Sequence, residues 1–247
     1  MIGSIGIIGY GSFGVFLNEL ISRFLPQSSI SIFSPDKEPD GRLFRSLETT
    51  LKCDVLFLAV PIAAYESVLH QLQPDLGPET IIVDIATVKV HTANLIRKIV
   101  PSSPFLSIHP MFGPASYAKK GGDVSGLRIA LTDTNLDPGK LKYLKEWVSE
   151  LGFSVIELSG QAHDKKLAET LFLTHYVGRI LALGNFERTD IDTASFGYLM
   201  DAVDSVRDDA DLFADVNQFN PHCKDVVEQF DRCERAVKDQ YLGEAAK

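Results

Sequence analysis

The stretch Gly9-Tyr10-Gly11-Ser12-Phe13-Gly14 constrains this chain more than any other feature. The apolar run Ile2 to Ile8 leads directly into it, as a buried strand would. Phe13, Leu17, Leu20 and Phe24 then follow at helical spacing until Pro26. Glycine triplets occur by chance, but a strand before and a helix after mark this G-x-G-x-x-G as the phosphate-binding turn of a βαβ unit. Gly9 permits the tight turn, Gly11 lets the backbone approach a pyrophosphate, and Gly14 allows close contact between helix and strand. Ser12 and Phe13 open the helix, whose first N–H groups and partial positive charge face the phosphates. A nicotinamide dinucleotide is expected there. The second strand, Ile30 to Phe33, runs into Ser34-Pro35-Asp36-Lys37. NAD-specific folds place an acidic residue at the end of this strand for the ribose 2′-hydroxyl. Ser34 is not acidic, and a hydroxyl with Lys37 nearby suits a 2′-phosphate better, while Asp36 lies two residues on and could swing in. NADP is expected slightly ahead of NAD.

Short buried runs then alternate with amphipathic helices. Asp54–Val60, Ile81–Ile85, Phe105–Ile108, Arg128–Leu131 and Ser154–Leu158 read as strands. One intervening helix carries Ile62, Tyr65, Val68, Leu69 and Leu72 on one face, and a second passes through Ile96 and Ile99. A third starts at the N-cap pair Asp137-Pro138 and carries Leu141, Leu144, Val148 and Leu151. This alternation predicts a parallel, doubly wound α/β sheet of Rossmann type. Beyond Gly160 the strand signals cease. Residues 163–186 read as one long helix, and Asn220-Pro221 starts another, striped by Val226, Phe230, Cys233 and Val237. The expected organisation is a dinucleotide-binding domain over 1–160 and a smaller all-helical domain for substrate and dimerisation over 161–247. A homodimer through the helical half would cover that stripe, as would packing within the subunit.

Charge limits the partners. The net charge is −9. Residues 1–150 hold 15 acidic against 14 basic side chains, and residues 151–247 hold 18 against 10. A nucleic-acid groove needs the opposite sign, and an anionic substrate must rely on a few local cations. The opening stretch lacks a basic region and is broken by glycines, so it does not read as a signal peptide. Without any run of about 18 apolar residues, no membrane span is expected either, and the protein is read as cytoplasmic. Cys53, Cys223 and Cys233 fit neither a metal site nor a disulfide framework.

Two strand ends are chemically marked: Asp84-Ile85-Ala86-Thr87-Val88-Lys89, and His109-Pro110-Met111-Phe112-Gly113-Pro114. Sites in open α/β sheets lie at such carboxyl ends. A lone histidine in a loop is usually a solvated surface residue. One directly after a buried strand, between two prolines and a glycine, is equally a candidate for a positioned acid or base. With the glycine loop, Leu58-Ala59-Val60-Pro61, His163-Asp164 and Leu173-Thr-His175-Tyr-Val-Gly-Arg179, these segments resemble the prephenate/arogenate dehydrogenases of tyrosine biosynthesis. The resemblance covers most of the chain, and the Thr-His-x-x-Gly-Arg stretch looks most like the arogenate-preferring branch.

The resemblance implies oxidative decarboxylation of a cyclohexadienyl carboxylate, with hydride passing to NAD(P). His109 matches the family's base, and Thr87 matches a position usually held by serine near that histidine and the nicotinamide. Val60 and Pro61 are implied at the cofactor, and Phe112 and Gly113 at the substrate. His175 and Arg179, four apart, share a helix face. A solvated surface pair is one reading. The resemblance, the need for a local cation and the close approach that Gly178 permits favour another, in which Arg179 grips a substrate carboxylate in bidentate fashion. The family's later-helix arginine has no clear counterpart, since Phe196–Asp215 offers only Arg207 among Asp201, Asp204, Asp208 and Asp209. Acidic surroundings there favour the amino-bearing arogenate over prephenate. Two other readings fit the architecture: another dehydrogenase or imine reductase, which has no reason to carry the His109 hexapeptide, and a non-catalytic dinucleotide-binding regulator.

Overall fold

The computed structural model describes residues 3–207 and 209–243. The chain divides into two compact units, residues 1–163 and 164–247. The first alternates strands and helices: β1 Ser4–Ile8, α1 Ser12–Phe24, β2 Ser29–Phe33, α2 Leu47–Thr50, β3 Val55–Leu58, α3 Tyr65–Leu72, β4 Ile81–Asp84, α4 Lys89–Ile99, β5 Phe105–Pro110, α5 Pro114–Lys119, β6 Arg128–Thr134, α6 Pro138–Glu150 and β7 Ser154–Glu157. The strands form one seven-stranded sheet in the order β2-β1-β3-β4-β5-β6-β7. Ile5, Ile7, Leu17, Ile21, Ile32, Val55, Val83 and Ile85 make one of its hydrophobic cores, joining the first strands to α1. At about 25 cal/mol per Å² of apolar surface, such aliphatic burial is the main force holding the layers together.

The sheet departs from the expected all-parallel arrangement at one place: β6 runs antiparallel to β5, while the other pairings are parallel. A parallel crossover needs an element that carries the chain back along the sheet. After β5 the chain has only the six-residue α5, stopped by Gly121 and Gly122 at φ 61° and 79°. The Met111 N–H donates to Arg128 O at 2.8 Å, closing this connection at the end where it began. β5 is also longer than expected and takes in His109 and Pro110, so His109 stands in the strand and not in the loop after it.

The second unit begins within a continuous helical run. α7 Gly160–Leu167, which crosses the boundary between the units, passes through one π-helical turn at Ala168–Phe172 into α8 Leu173–Leu183. The run starts earlier and stops earlier than 163–186, because Gly184 caps it and Asn185 turns left-handed at φ 53°. α9 Ala194–Val206, α10 Ala210–Phe219 and α11 His222–Val237 follow, of which only the last is marked in sequence. Gly178 is the contact point of α8 with α9. A Cβ there would lie 2.7 Å from Val206 Cγ2, so the close approach expected at this glycine is made by the neighbouring helix. No helix among the described residues is long and apolar enough to cross a membrane.

Candidate active site

The glycine loop joins β1 to α1 beside the end of β3. Gly9 has φ +97°, a left-handed conformation that side chains avoid, and a Cβ on it would fall 2.3 Å from Ala59 O and 2.9 Å from Val60 Cγ1. A Cβ on Gly14 would fall 2.5 Å from Gly9 O. Gly11 differs from both: nothing lies within 4 Å of where its Cβ would be. Two glycines are consumed by the turn, and the third leaves an open cradle at a helix N-terminus that no side chain caps. Backbone amides without a side-chain cap, facing open space, fit a dinucleotide pyrophosphate. Val60 is half-buried against the turn, with Pro61 exposed beyond it, and Ser12 and Phe13 form the first turn of α1.

At the end of β2, Ser34 is buried and its hydroxyl donates to Asp36 Oδ1. This bond holds the exposed Asp36 carboxyl below its usual range, with Lys37, 3.7 Å away, adding to the effect. The serine, the acid and the lysine are one linked set.

The ends of β4 and β5 form a buried polar centre. Asp84 closes the apolar run of β4 and is fully buried. Its Oδ1 accepts from Tyr65 OH at 2.8 Å and from the Ala86 N–H at 2.9 Å. Its Oδ2 accepts from Lys89 Nζ at 2.9 Å, Thr92 Oγ1 at 2.7 Å and Ser107 Oγ at 2.7 Å. Lys89, likewise buried, also donates to Ile108 O at 2.7 Å, the carbonyl just before His109. A buried ion pair persists only when its remaining hydrogen-bonding capacity is met, and here it is met five times over on the acid alone. Burial and the Asp84 charge push the Tyr65 phenol well up.

His109 lies beside this centre. Phe105, Ser107 and His109 alternate on the buried face of β5, and the imidazole is 6% exposed. His109 Nδ1 is 3.0 Å from Nε2 of His163, itself buried on α7. Burial first, then His163 and Lys89, push the His109 pKa well below the ordinary 6.5. A neutral imidazole with one nitrogen not engaged by His163 is chemically a proton acceptor or donor held ready at neutral pH. Thr87, half-buried between Ala86 and Val88, makes no hydrogen bond with the described residues.

Phe112 is placed differently from expectation. Its ring packs against Phe16 and stacks on Phe153 at 5.7 Å, within an aromatic core that includes Val124. A ring with this much apolar surface is captured by the nearest core, so Phe112 anchors the loop from beneath. Gly113 starts α5, its N–H donating to Ser116 Oγ.

In the second unit, His175 and Arg179 do share one face of α8. His175 is 4% exposed, its pKa lowered by burial and by Arg179 against the opposing Asp209. The Arg179 guanidinium lies 4.9 Å over the Phe213 ring, whose other neighbours include Phe172 and His175. His175 Nδ1 and Arg179 Nε and Nη2 are buried without a hydrogen-bond partner among the described residues. Orphaned polar atoms of this kind are costly unless a ligand meets them. Arg207 instead is exposed and paired with Asp204 at 3.0 Å, and Arg188 is held by Asp201 and Asp204.

Sequence reasoning passed over the partners. Asp84 and Lys89 lie in a marked segment without an assigned role, Tyr65 reads as part of an apolar helix face, Ser107 lies inside a strand, and Thr92 carries no mark. An acid ending the run Ile81-Ile82-Val83 was the available signal, since a charge there requires a buried counterion.

A glycine cradle at the switch point of a doubly wound sheet, with polar residues at the carboxyl ends of its strands, defines a dinucleotide-binding protein of the Rossmann class. Residues 43–157 match the family model described as prephenate dehydrogenase, nucleotide-binding domain. Arogenate dehydrogenase 1, chloroplastic, of Arabidopsis thaliana is 28% identical over 96% of this chain and 39% of its own length. Arogenate dehydrogenase 2, chloroplastic, of the same plant is 29% identical over 97% of this chain and 70% of its own length. The chain thus spans about two fifths of the first relative. Among solved structures, the prephenate dehydrogenase of A. aeolicus, in complex with hydroxyphenyl propionate and NAD+, superposes with a TM-score of 0.77 at 17% identity. That match covers 99% of this chain and 92% of the other, and shares its fold. The chain is thus similar to the nucleotide-binding domain of prephenate dehydrogenases over residues 43–157, and to two arogenate dehydrogenases along nearly its whole length.

Proposed function

We propose that this protein catalyses the NAD(P)-dependent oxidative decarboxylation of arogenate or prephenate to tyrosine or 4-hydroxyphenylpyruvate. The observation that carries the reading is His109, a buried imidazole kept neutral at the carboxyl end of a strand in the sheet whose first strand bears the glycine cradle. Bound NAD(P) supplies the acceptor for the hydride from the ring carbon bearing the hydroxyl. His109 takes the hydroxyl proton as carbonyl character develops. It returns that proton to the phenolate oxygen after CO2 has left and the ring has become aromatic. Aromatisation drives the step, so the protein need only orient the substrate and hold this proton. Thr87 offers a second hydroxyl for orientation. His175 and Arg179, with their buried nitrogens unpartnered among the described residues, are the groups proposed for the substrate carboxylate.

Arogenate is the preferred substrate in this reading. Arg188 and Arg207 are committed to carboxylates of α9, which leaves that stretch acidic toward a substrate amine. NADP remains slightly ahead of NAD, since Ser34 and Lys37 are two groups suited to a 2′-phosphate against the single carboxylate of Asp36. A homodimer through the helical unit belongs to the same reading, because Cys233 and Val237 on the apolar stripe of α11 are exposed. The test measures formation of reduced cofactor with each substrate and each cofactor, in wild type and His109→Asn. At least one pair should turn over, arogenate faster than prephenate, and kcat should fall by about 10²- to 10⁴-fold in the variant. Tight cofactor binding with no turnover on either substrate would sink the catalytic reading.

A further inference from the structure

We propose that His163 is the positioning residue that sets the tautomer of His109, and so decides that His109 is a base rather than a donor. The inference deepens the reading of His109 given above and rests on it for its catalytic consequence. The two imidazole nitrogens, His109 Nδ1 and His163 Nε2, are 3.0 Å apart, with the rings edge to face. At that distance two lone pairs repel, so one proton lies between them. Which ring owns it fixes everything downstream.

If His163 Nε2–H donates to His109 Nδ1, the other nitrogen of a neutral His109 carries a hydrogen and has no lone pair to offer. If His109 Nδ1–H donates to His163 Nε2, the His109 Nε2 lone pair faces outward from the pair and accepts a proton.

The reading of His109 as a base requires the second arrangement, with a neutral His109. Lys89 from α4 brings an ammonium to the Ile108 carbonyl next to His109, which disfavours a resting imidazolium. Asp84 from β4 is the acid paired with Lys89, and its oxygens are taken up by Lys89, Thr92, Ser107, Tyr65 and a backbone N–H. The carboxylate that orients a catalytic imidazole in many hydrolases is thus spent on Lys89 here, and His163 stands in the orienting position. During the reaction the substrate proton arrives at His109 Nε2 while the Nδ1–H stays in place. The bond to His163 then becomes charge-assisted and strengthens as positive charge grows on His109.

The experiment is long-range proton–nitrogen correlation on 15N-labelled full-length protein, with steady-state kinetics on the same samples. In wild type near neutral pH, His109 should show a protonated Nδ1 and an unprotonated Nε2. His163→Phe, which keeps a ring but offers no acceptor, should move the His109 proton to Nε2. It should also lower kcat by about 10²-fold or more with cofactor KM unchanged and shift the acid limb of the kcat profile. His163→Gln, whose amide oxygen accepts from Nδ1–H, should retain the tautomer and recover most of the rate. Wild-type His109 protonated at Nε2, or a tautomer unchanged in His163→Phe, overturns the proposal. If His163→Phe does not fold, the wild-type tautomer and the rate of His163→Gln decide it. A protonated Nδ1 in a protein that turns over neither substrate supports the pairing and counts only against the dehydrogenase reading.

Discussion

At the residue scale, the molecule spends its most expensive interactions directly behind His109. Removing one partner of a buried ion pair leaves the other charged in a dry interior. Asp84→Ala is therefore expected to destabilise the fold by about 3–5 kcal/mol, read as a lower denaturant midpoint, whereas Thr92→Val should cost only about 1 kcal/mol. Equal effects of the two would show that the charge pair is not what holds the centre. A second residue-scale prediction concerns Asp36, which both accepts from Ser34 and pairs with Lys37. Asp36→Asn removes a negative charge from the 2′ position and should raise the NADP-to-NAD ratio of kcat/KM by about tenfold, the equivalent of one modest charge interaction. A ratio that stays put or falls would remove this loop from cofactor choice.

At the scale of elements, two close contacts position the machinery. The β1–α1 turn exists because Gly9 and Gly14 have no side chains, and α8 meets α9 because Gly178 has none. Gly178→Leu would drive a branched side chain into Val206 and Val203, whose side chains are themselves buried. Overpacking of that kind costs about 1–3 kcal/mol, and in a domain of this size it should lower the melting temperature by several degrees. An unchanged melt would mean that α9 is not held against α8 in solution. The glycine loop and α6 were legible in sequence because their signals are local: a glycine pattern between strand and helix, and Asp137 capping with Pro138 at the first turn. Asp137 Oδ1 indeed accepts from Gly139 and Lys140 N–H. The direction of β6 was not legible, because strand direction depends on where the connecting chain goes, and a short helix ended by two glycines gives no periodicity to read.

At the scale of the whole molecule, each unit carries a buried histidine whose protonation bears on stability. His109 in the first and His175 in the second both titrate below 6.5. Above pH 6.5 these rings are neutral folded or unfolded, and their contribution to stability is flat. As pH falls below 6.5, the unfolded chain takes up protons that the folded chain refuses. Stability should then drop by up to about 1.4 kcal/mol per pH unit for each histidine until the folded values are reached. Denaturation at a series of pH values between 7.5 and 5 checks this, and His109→Asn combined with His175→Asn should flatten the curve. Stability that rises on acidification through that window would contradict the burial of neutral rings.

The sequence by itself determined the elements and the chemistry available to them: the dinucleotide turn, the alternation that builds a doubly wound sheet, the helical second part, and His109 at a strand end. These are short-range facts, carried by periodicity, capping and glycine placement within a few residues. Only the tertiary structure decided the rest. It turned β6 antiparallel, drew Phe112 into the core, filled the space beside Gly178 with α9, and brought His163 to His109 across 54 positions of sequence. Such contacts form because buried polar groups and large rings must find partners wherever the fold supplies them. That requirement leaves no mark on the residues nearby in the chain.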